Sequence, residues 1–212
     1  ARGTSLVTTL GDDKAQATVI REKATANYAL QRGRTEDMYP TAQFGGIALL
    51  RQFNYDGQWY GSLPEGYFYD ASLEALKVNS DLPKIFEAGN NYEVLRAAAI
   101  GDEFGYVPIV KGEGDEYQLL DEIKRSGVSL IIPLDFPEAP DVKDPYDAAA
   151  VPLSDLKHWE MAPANAFLVN EKGIEFAFTA SGLSKPADYL DNIRKAVSYG
   201  LDKKEADRKS VV

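Results

Sequence analysis

The chain has 212 residues, of which 44% are hydrophobic and 26% are charged, a composition typical of a globular protein with one sizeable core. Its formal net charge of −10, from 33 acidic and 23 basic residues, argues against binding to nucleic acid or to an anionic membrane surface. The absence of cysteine excludes disulfides, cysteine-ligated zinc and thiol catalysis. No apolar run approaches the roughly 18 residues of a membrane span. The sequence therefore predicts a soluble protein and leaves its compartment, cytoplasmic or periplasmic and secreted, undetermined.

The first 40 residues predict an irregular N-terminal segment that includes one hairpin. Ser5–Leu10 and Ala17–Ile20 are strand-like and flank the turn sequence Gly11-Asp-Asp13, which is the pattern of two paired strands. Residues 21–40 are polar and are predicted to be irregular.

Two helices are predicted next, separated by a loop at Gly61–Tyr69 that is rich in glycine, proline and tyrosine. The first runs from Thr41, as N-cap, to about Tyr60, and the second covers Ala71–Val78. A helix with a broad apolar stripe is normally buried. We therefore expect core packing for four aromatic residues of the first helix: Phe53, Tyr55, Trp59 and Tyr60.

The second half of the chain alternates strand-like and helical segments at short, regular intervals. This alternation, with glycine closing each helix, is typical of βαβ units and hence of a parallel sheet. The predicted strands are Lys84–Glu87, Tyr106–Val110, Val128–Leu134 and Ile174–Thr179. The predicted helices are Asn91–Phe104 with Tyr92, Leu95 and Ala99 at helical spacing and Ile100 beside them, Asp115–Arg125, Ser154–Met161, Pro163–Glu171, and Pro186–Tyr199 with Leu190, Ile193 and Val197 inward.

From Tyr39 onward, six segments resemble amidohydrolases of the imidazolonepropionase-like group. In chain order they are Tyr39–Arg51, Leu82–Ala88, Lys111–Tyr117, Leu156–Asn165, Phe176–Thr179 and Asn192–Leu201. The resemblance implies an α/β fold, a partial (β/α)8 TIM-type barrel with parallel strands from about strand four or five to strand eight, truncated at both ends. It also implies one domain over residues 1–212, with βα units over 41–206 and a tail over 207–212.

The resemblance further implies a metal-dependent hydrolase that acts on C–N bonds other than peptide bonds in a small-molecule substrate. The group binds zinc or another divalent metal through residues that follow strands one, five, six and eight. In this chain the last three positions fall at or near Glu87, Glu113 and Ser181, none of which matches the expected histidine or aspartate. Catalytic zinc needs about three protein ligands, and the chain has one histidine. We therefore expect no zinc in this chain alone, although a longer parent protein can hold the metal.

Three interpretations of function remain open. In the first, the chain is part of a hydrolase whose metal site is incomplete in this chain. Its candidate catalytic residues are Glu87, Glu113 and Ser181. The second is a non-catalytic binding or structural module that has lost its metal ligands. The third sets the resemblance aside and predicts an open α/β domain that binds a small ligand at its strand ends.

Two further expectations concern the strand-end carboxylates and His158, and a third concerns the edges of the sheet. Glu87, Glu113 and Asp135 follow strands and form a candidate oxygen-ligand site for a hard cation, with solvated loop carboxylates as the alternative. His158 is predicted to serve helix-end packing. Because a barrel without its first strands cannot close, we also expect either self-association through an open edge or coverage of that edge by residues 1–20.

Overall fold

The computed structural model describes residues 3–9, 18–30, 40–64 and 66–210. Within these ranges six strands form one sheet in the order β1-β2-β3-β4-β5-β6. The strands are β1 Gly3–Thr8, β2 Val19–Ala29, β3 Lys84–Glu87, β4 Ile109–Lys111, β5 Ser129–Pro133 and β6 Phe176–Thr179. The helices are α1 Gln43–Gly61, α2 Ala71–Val78, α3 Asn91–Phe104, α4 Leu120–Ser126, α5 Pro145–Ala150, α6 Leu153–Met161, α7 Asn165–Glu171, α8 Asp188–Ser198 and α9 Lys203–Lys209, with 3₁₀ helices at Glu116–Gln118 and Ala162–Ala164.

The fold class is α/β, with a mostly parallel sheet in which helices lie between successive strands from β2 to β6. β2 pairs with β3 and β5 pairs with β6 in parallel, while β1 is antiparallel to β2. This confirms the prediction of a partial TIM-type arrangement of βα units. Among the described residues, no helix has the length and apolar character needed to cross a membrane.

Contacts divide the chain into two compact units. The first comprises Ala1–Glu87 with Ala99–Ile109, and the second comprises Ala88–Ala98 with Val110–Val212. Each unit has its own buried apolar side chains, such as Phe86 in the first and Leu130 and Val169 in the second. The expectation of one domain over residues 1–212 stays a prediction.

In the first unit, β2 extends far beyond the predicted strand. The prediction that residues 21–40 are irregular was wrong for residues 21–29, because β2 continues to Ala29 and pairs with β3. Its inner side chains alternate with outer ones, as a half-buried strand requires; Ala24, Ala26, Tyr28 and Leu30 are buried. The Tyr28 ring stacks on Phe86 of β3 with centroids 5.1 Å apart.

The predicted pairing of residues 5–10 with 17–20 is confirmed for the described part. β1 and β2 form an antiparallel pair in which Val7 faces Arg21 and Thr8 faces Val19. The turn at Gly11-Asp-Asp13, with Leu10 and Ala17, lies outside the described residues. The N-terminal strands β1 and β2 therefore lie at one edge of the sheet. Coverage of an open edge by residues 1–20 was one of the two alternatives expected.

The N-terminal end of α1 and its aromatic face differ from the prediction. The helix starts at Gln43 after Ala42, and Thr41 is not its N-cap, since no side chain caps this end. Tyr60 is buried, but Tyr55 and Trp59 are 48% and 53% exposed, so core packing was predicted correctly for Tyr60 and wrongly for these two. The predicted α2 is confirmed, and Asp70 caps it by accepting from the N–H groups of Ser72 and Leu73.

Helix α3 has the predicted bounds, and the apolar residues noted in it are only partly buried. Tyr92 is 61% exposed, whereas Ile100 is buried. The buried residues of the helix are Asn91, Glu93, Val94, Ala97, Ile100 and Gly101. Two polar side chains occupy the inner side of the first turn because loop residues there satisfy their hydrogen bonds, a pairing that apolar periodicity does not reveal.

The strand predicted at Tyr106–Val110 is shorter and lies later, at Ile109–Lys111. The N–H of Tyr106 donates to the carbonyl of Gly101 at 2.9 Å. Tyr106 therefore takes part in the turn that closes α3 and not in the strand. Pro108 has no N–H to give to a sheet. Gly105, at φ 76°, ends the helix as predicted.

The last two helices also depart from the prediction. Leu190, Ile193 and Val197 of α8 line a groove between α8 and α9, and Leu190 is 58% exposed, so the expectation that all three point inward was wrong. Helix α9, which was not predicted, starts after Asp202, whose side chain accepts from the N–H groups of Lys204 and Glu205. The sequence Asp202-x-x-Glu205 is a capping-box pattern that indicates this helix.

At the other end of the sheet, β6 has a strand neighbour on one side within the described ranges. We predict that the chain self-associates through this edge, because an unpaired apolar strand edge is a site of association. Ala177→Lys places a charge on the exposed side of β6 and should lower the weight-average mass seen by light scattering at high concentration. Ala150→Lys, on exposed α5, is the matched control, and an equal effect of both substitutions would count against the edge.

Candidate functional site

Three loops of the second unit follow the carboxyl ends of strands, where TIM-type barrels carry their sites. β4 leads into residues 112–115, β5 into 134–144 and β6 into 180–187. Glu113, Asp135 and Ser181 lie one on each of these loops, and all three are exposed. Glu87 is the last residue of β3, belongs to the first unit and is partly buried.

The loop after β4 turns through two glycines that bracket Glu113. Gly114 has φ 89°, a conformation that a side chain disfavours. Gly112 is confined by space, because a Cβ there would lie 1.6 Å from Oε1 of Glu116. The N–H of Gly112 donates to the carbonyl of Ile131 on β5 at 3.0 Å. The loop thus closes over Glu116 and leaves Glu113 facing solvent.

Beneath this loop, Glu116 and Asn165 form a buried pair, with 0% and 1% of their surfaces exposed. Nδ2 of Asn165 donates to Oε2 of Glu116 at 2.6 Å, and the N–H of Gly114 donates to Oε1 at 3.3 Å. Oδ1 of Asn165 accepts from the N–H of Tyr117 at 2.8 Å. We call these four groups the Glu116 network; it fastens the loop and the 3₁₀ helix Glu116–Gln118 to the start of α7.

Burial raises the pKa of the Glu116 carboxyl above its ordinary value. Its own backbone N–H, the amide of Asn165 and the N–H of Gly114 favour the ionised form, whereas the nearby Asp115 carboxylate disfavours it. Burial has the largest effect, since a carboxylate removed from water loses its hydration. Among the described residues no Lys, Arg or His forms an ion pair with Glu116.

A second set of hydrogen bonds connects the same loop to the start of α3. The N–H of Asn91 donates to Oδ2 of Asp115 at 3.1 Å, and Nδ2 of Asn91 donates to the Asp115 carbonyl at 3.3 Å. Oε2 of Glu93 accepts from the N–H of Gly89 at 2.8 Å. In the described ranges, the buried polar residues are Asn91, Glu93, Glu116 and Asn165. All four lie in this region, so residues 88–93 and 111–117 are held in place by buried polar groups.

The loops after β5 and β6 meet at Asp135. A Cβ at Gly182, which has φ 94°, would lie 2.6 Å from Oδ2 of Asp135, so the carboxylate packs directly on the turn after β6. Ser181, in that turn, donates its N–H to Oγ1 of Thr179 at 3.2 Å. The structure therefore brings Asp135 and the Ser181 turn together, which the sequence did not indicate.

His158 lies on α6, where it stacks on the ring of Tyr117 with centroids 6.2 Å apart and an interplanar angle of 15°. Its Nδ1 is 3.4 Å from the Tyr117 hydroxyl, at the long limit of a hydrogen bond. The carbonyl of His158 accepts from the N–H of Ala162 at the end of α6. The packing role expected for His158 agrees with these contacts.

The described residues do not fit a catalytic metal. No group of three or more His, Cys, Asp or Glu side chains among them is arranged to hold an ion. The chain's single histidine stacks on the ring of Tyr117. The catalytic roles considered for Glu87, Glu113 and Ser181, and the cation site considered for Glu87, Glu113 and Asp135, stay predictions.

Sequence reasoning missed Glu116 and Asn165 as organising residues of this region. Glu116 was assigned to the predicted helix Asp115–Arg125, which in the structure is a 3₁₀ helix followed by α4. Nothing in a run of acidic residues distinguishes a buried carboxylate from solvated ones. The spacing Gly112-x-Gly114 before it was the available signal, because paired glycines often mark a close approach of side chain and backbone.

Comparison with known proteins shows a likeness to solved structures. No family model matches the chain, and no curated protein matches it significantly. The structure is similar to that of an amidohydrolase from Thermotoga maritima MSB8, with a TM-score of 0.70 at 14% sequence identity. The match covers 96% of this chain and 54% of the Thermotoga chain, so the chain spans about half the length of that protein. The likeness shows that the chain shares its fold with that part of the Thermotoga protein.

Proposed function

We propose that the chain is part of a protein that hydrolyses C–N bonds other than peptide bonds in small molecules. The observation that carries this proposal is the fold similarity to the Thermotoga amidohydrolase over 96% of this chain. The six sequence segments that resemble the imidazolonepropionase-like group support the narrower assignment to that group. In this proposal the chain contributes strand-end loops that contact substrate, with Glu113, Asp135 and Ser181 as the exposed polar residues.

The metal of such a hydrolase, zinc or another divalent ion, is assigned to residues outside those described. The residues that the structure describes do not include a three-ligand group, and the strand-end position expected to carry an aspartate carries Ser181. The residues of this chain can orient a substrate by hydrogen bonding and by the negative charge of Glu113 and Asp135.

A second candidate function is a non-catalytic binding or structural module of the same fold. The specific observation in its favour is the single histidine together with the absence of a ligand group among the described residues. Under this proposal the buried Glu116 network holds the loop after β4 in place, and this loop takes no part in catalysis.

We predict that this chain, purified alone, contains no stoichiometric zinc. One histidine and no cysteine leave too few nitrogen and sulfur ligands for a protein zinc site. Elemental analysis by mass spectrometry after dialysis against metal-free buffer checks the prediction. A tightly held zinc with several ligands from one chain would refute it.

We also predict that the chain alone does not hydrolyse amide, lactam or cyclic-ureide substrates with added Zn²⁺, Mn²⁺ or Mg²⁺. Metal-dependent turnover that Glu113→Gln or Glu87→Gln abolishes would reverse this conclusion and support a carboxylate site. The same assay on the longer parent protein separates the two functions. Turnover that a chelator removes supports the hydrolase, whereas binding of those substrates without turnover supports the module.

A further inference from the structure

Glu116 is a fully buried carboxyl group whose hydrogen-bond donors are all neutral. Nδ2 of Asn165 and the N–H of Gly114 reach its two oxygens, and no cation pairs with it in the part of the chain that the structure describes. A buried carboxylate without a positive partner is unstable relative to its protonated form. The Glu116 carboxyl is therefore a buried group that can bind a proton.

The same carboxyl group holds three pieces of the chain together. It lies against Gly112, at the start of the loop after β4, and it accepts from Gly114 at the loop's turn. Through Asn165 it also fixes the N–H of Tyr117 in the 3₁₀ helix. If the carboxyl left its pocket, the loop, the 3₁₀ helix and the start of α7 would lose their common anchor.

We propose that Glu116 is a proton-dependent latch for residues 112–118. With a proton on the carboxyl, the segment is held on α7. Without it, the segment opens more readily, because opening lets the carboxylate reach water. Glu113 is carried on the same turn, so the latch controls the position of the one exposed carboxylate of this loop. This proposal is independent of whether the chain belongs to a hydrolase.

In any pH experiment the effect of Glu116 has to be distinguished from the effects of other ionisable groups near the latch. Asp115 is next to it and repels a second negative charge. His158 stacks on the ring of Tyr117. The remaining ionisable side chains on the adjoining elements are Tyr92, Glu93, Arg96, Asp102 and Glu103 on α3, Lys111 on β4, Glu113 on the loop, Tyr117 on the 3₁₀ helix, Asp121, Glu122, Lys124 and Arg125 on α4, and Glu171 on α7.

The direction of the pH effect follows from linkage. The carboxyl of the open segment titrates near its ordinary value of 4.5, and that of the closed segment titrates higher. The stabilisation of the closed segment by the proton on Glu116 is then complete below pH 4.5, and it is lost as pH rises through the closed-state pKa. Between these two values the closed-to-open ratio should fall about tenfold for each pH unit, and it should be flat above and below them.

Hydrogen exchange in the whole chain tests the proposal. The amides of Gly114 and Tyr117 report the latch, because their acceptors are Glu116 and Asn165. We expect their protection factors, corrected for the intrinsic effect of pH, to fall about tenfold per pH unit within that window. Glu116→Gln carries no titrating group and should abolish the fall. Glu122→Gln, a partly exposed change on neighbouring α4, should leave it unchanged.

A second measurement does not depend on any variant. In the unmodified chain, carbon-13 NMR of the Glu116 carboxyl should show a titration midpoint above 4.5, matched by the midpoint of the fall in protection. A midpoint at or below 4.5 would overturn the proposal. So would protection that does not change with pH in the unmodified chain, or a fall that persists in Glu116→Gln.

Discussion

Gly112→Ala is expected to lower the free energy of unfolding of the second unit by about 2–4 kcal/mol, the range for overpacking combined with a lost buried hydrogen bond. The added Cβ would lie 1.6 Å from Oε1 and 2.7 Å from Cδ of Glu116. Because that carboxyl is buried and hydrogen-bonded to Asn165, it cannot swing into solvent without breaking the Glu116 network. Gly112 is outside the left-handed region, so the loss is steric and not a matter of backbone strain.

Chemical denaturation monitored by tryptophan fluorescence measures this loss for one unit at a time. The chain has two tryptophans, Trp59 in the first unit and Trp159 in the second, so a Trp59→Phe background isolates the second. Combining Gly112→Ala with Glu116→Ala gives the matched control. Once the carboxyl is gone, the alanine should cost under about 1 kcal/mol, because the atoms it meets are absent. Equal costs in both backgrounds would show that the loop, and not Glu116, resists the side chain.

Asn165→Asp is expected to have a still larger effect at neutral pH, about 3–5 kcal/mol, which is the usual result of leaving a buried charge uncompensated. The substitution replaces a donor 2.6 Å from Oε2 of Glu116 with a carboxylate oxygen. Two carboxyl groups at that distance cannot both ionise, so the pair retains a proton with a raised pKa. Stability should therefore recover as the pH is lowered toward 5 and a shared proton replaces the lost amide hydrogen bond.

Asn165→Ala is the control that separates charge from hydrogen bonding. It leaves Oε2 of Glu116 and the N–H of Tyr117 without partners, at a cost of about 1–3 kcal/mol, but it adds no titrating group. Denaturation at several pH values should show recovery on acidification for the aspartate variant well beyond any shown by the alanine variant. If the two variants respond to pH alike, Glu116 does not share a proton with residue 165.

Much of the fold could be predicted where one physical signal dominates. The βα units from Lys84 to Thr179 follow from continuous apolar runs and from glycines that end helices, such as Gly105 and Gly127, both with positive φ. Residues 21–29 of β2 were missed because the inner residues of this part include small alanines, which give a weak apolar signal. The alternation of Ala24, Ala26, Tyr28 and Leu30 was nevertheless present in the sequence.

The candidate site could be predicted less well, because it depends on contacts between residues far apart in the chain. The strand-end positions of Glu113, Asp135 and Ser181 follow from the order of strands and loops. The pairing of Glu116 with Asn165 spans 49 positions, and nothing in the two sequence segments that contain these residues indicates that their side chains meet. Burial of a glutamate in a neutral pocket also contradicts the usual exposure of acidic residues, so sequence patterns argue against it.

The long connection between β2 and β3 has a consequence for the order of folding. β3, β4 and β5 are joined by short helical segments, whereas the chain must complete both α1 and α2 before Ala26 can pair with Lys84. Closing a longer loop carries a greater entropic penalty, and contacts distant in sequence form slowly. β1 and β2 are synthesised first but are thus among the last strands to join the sheet. During synthesis β2 lacks its second strand partner until β3 has been made. Pulse-labelled refolding should protect the amides of Leu130 and Ile132 before that of Ala26; the reverse order would contradict this sequence of events.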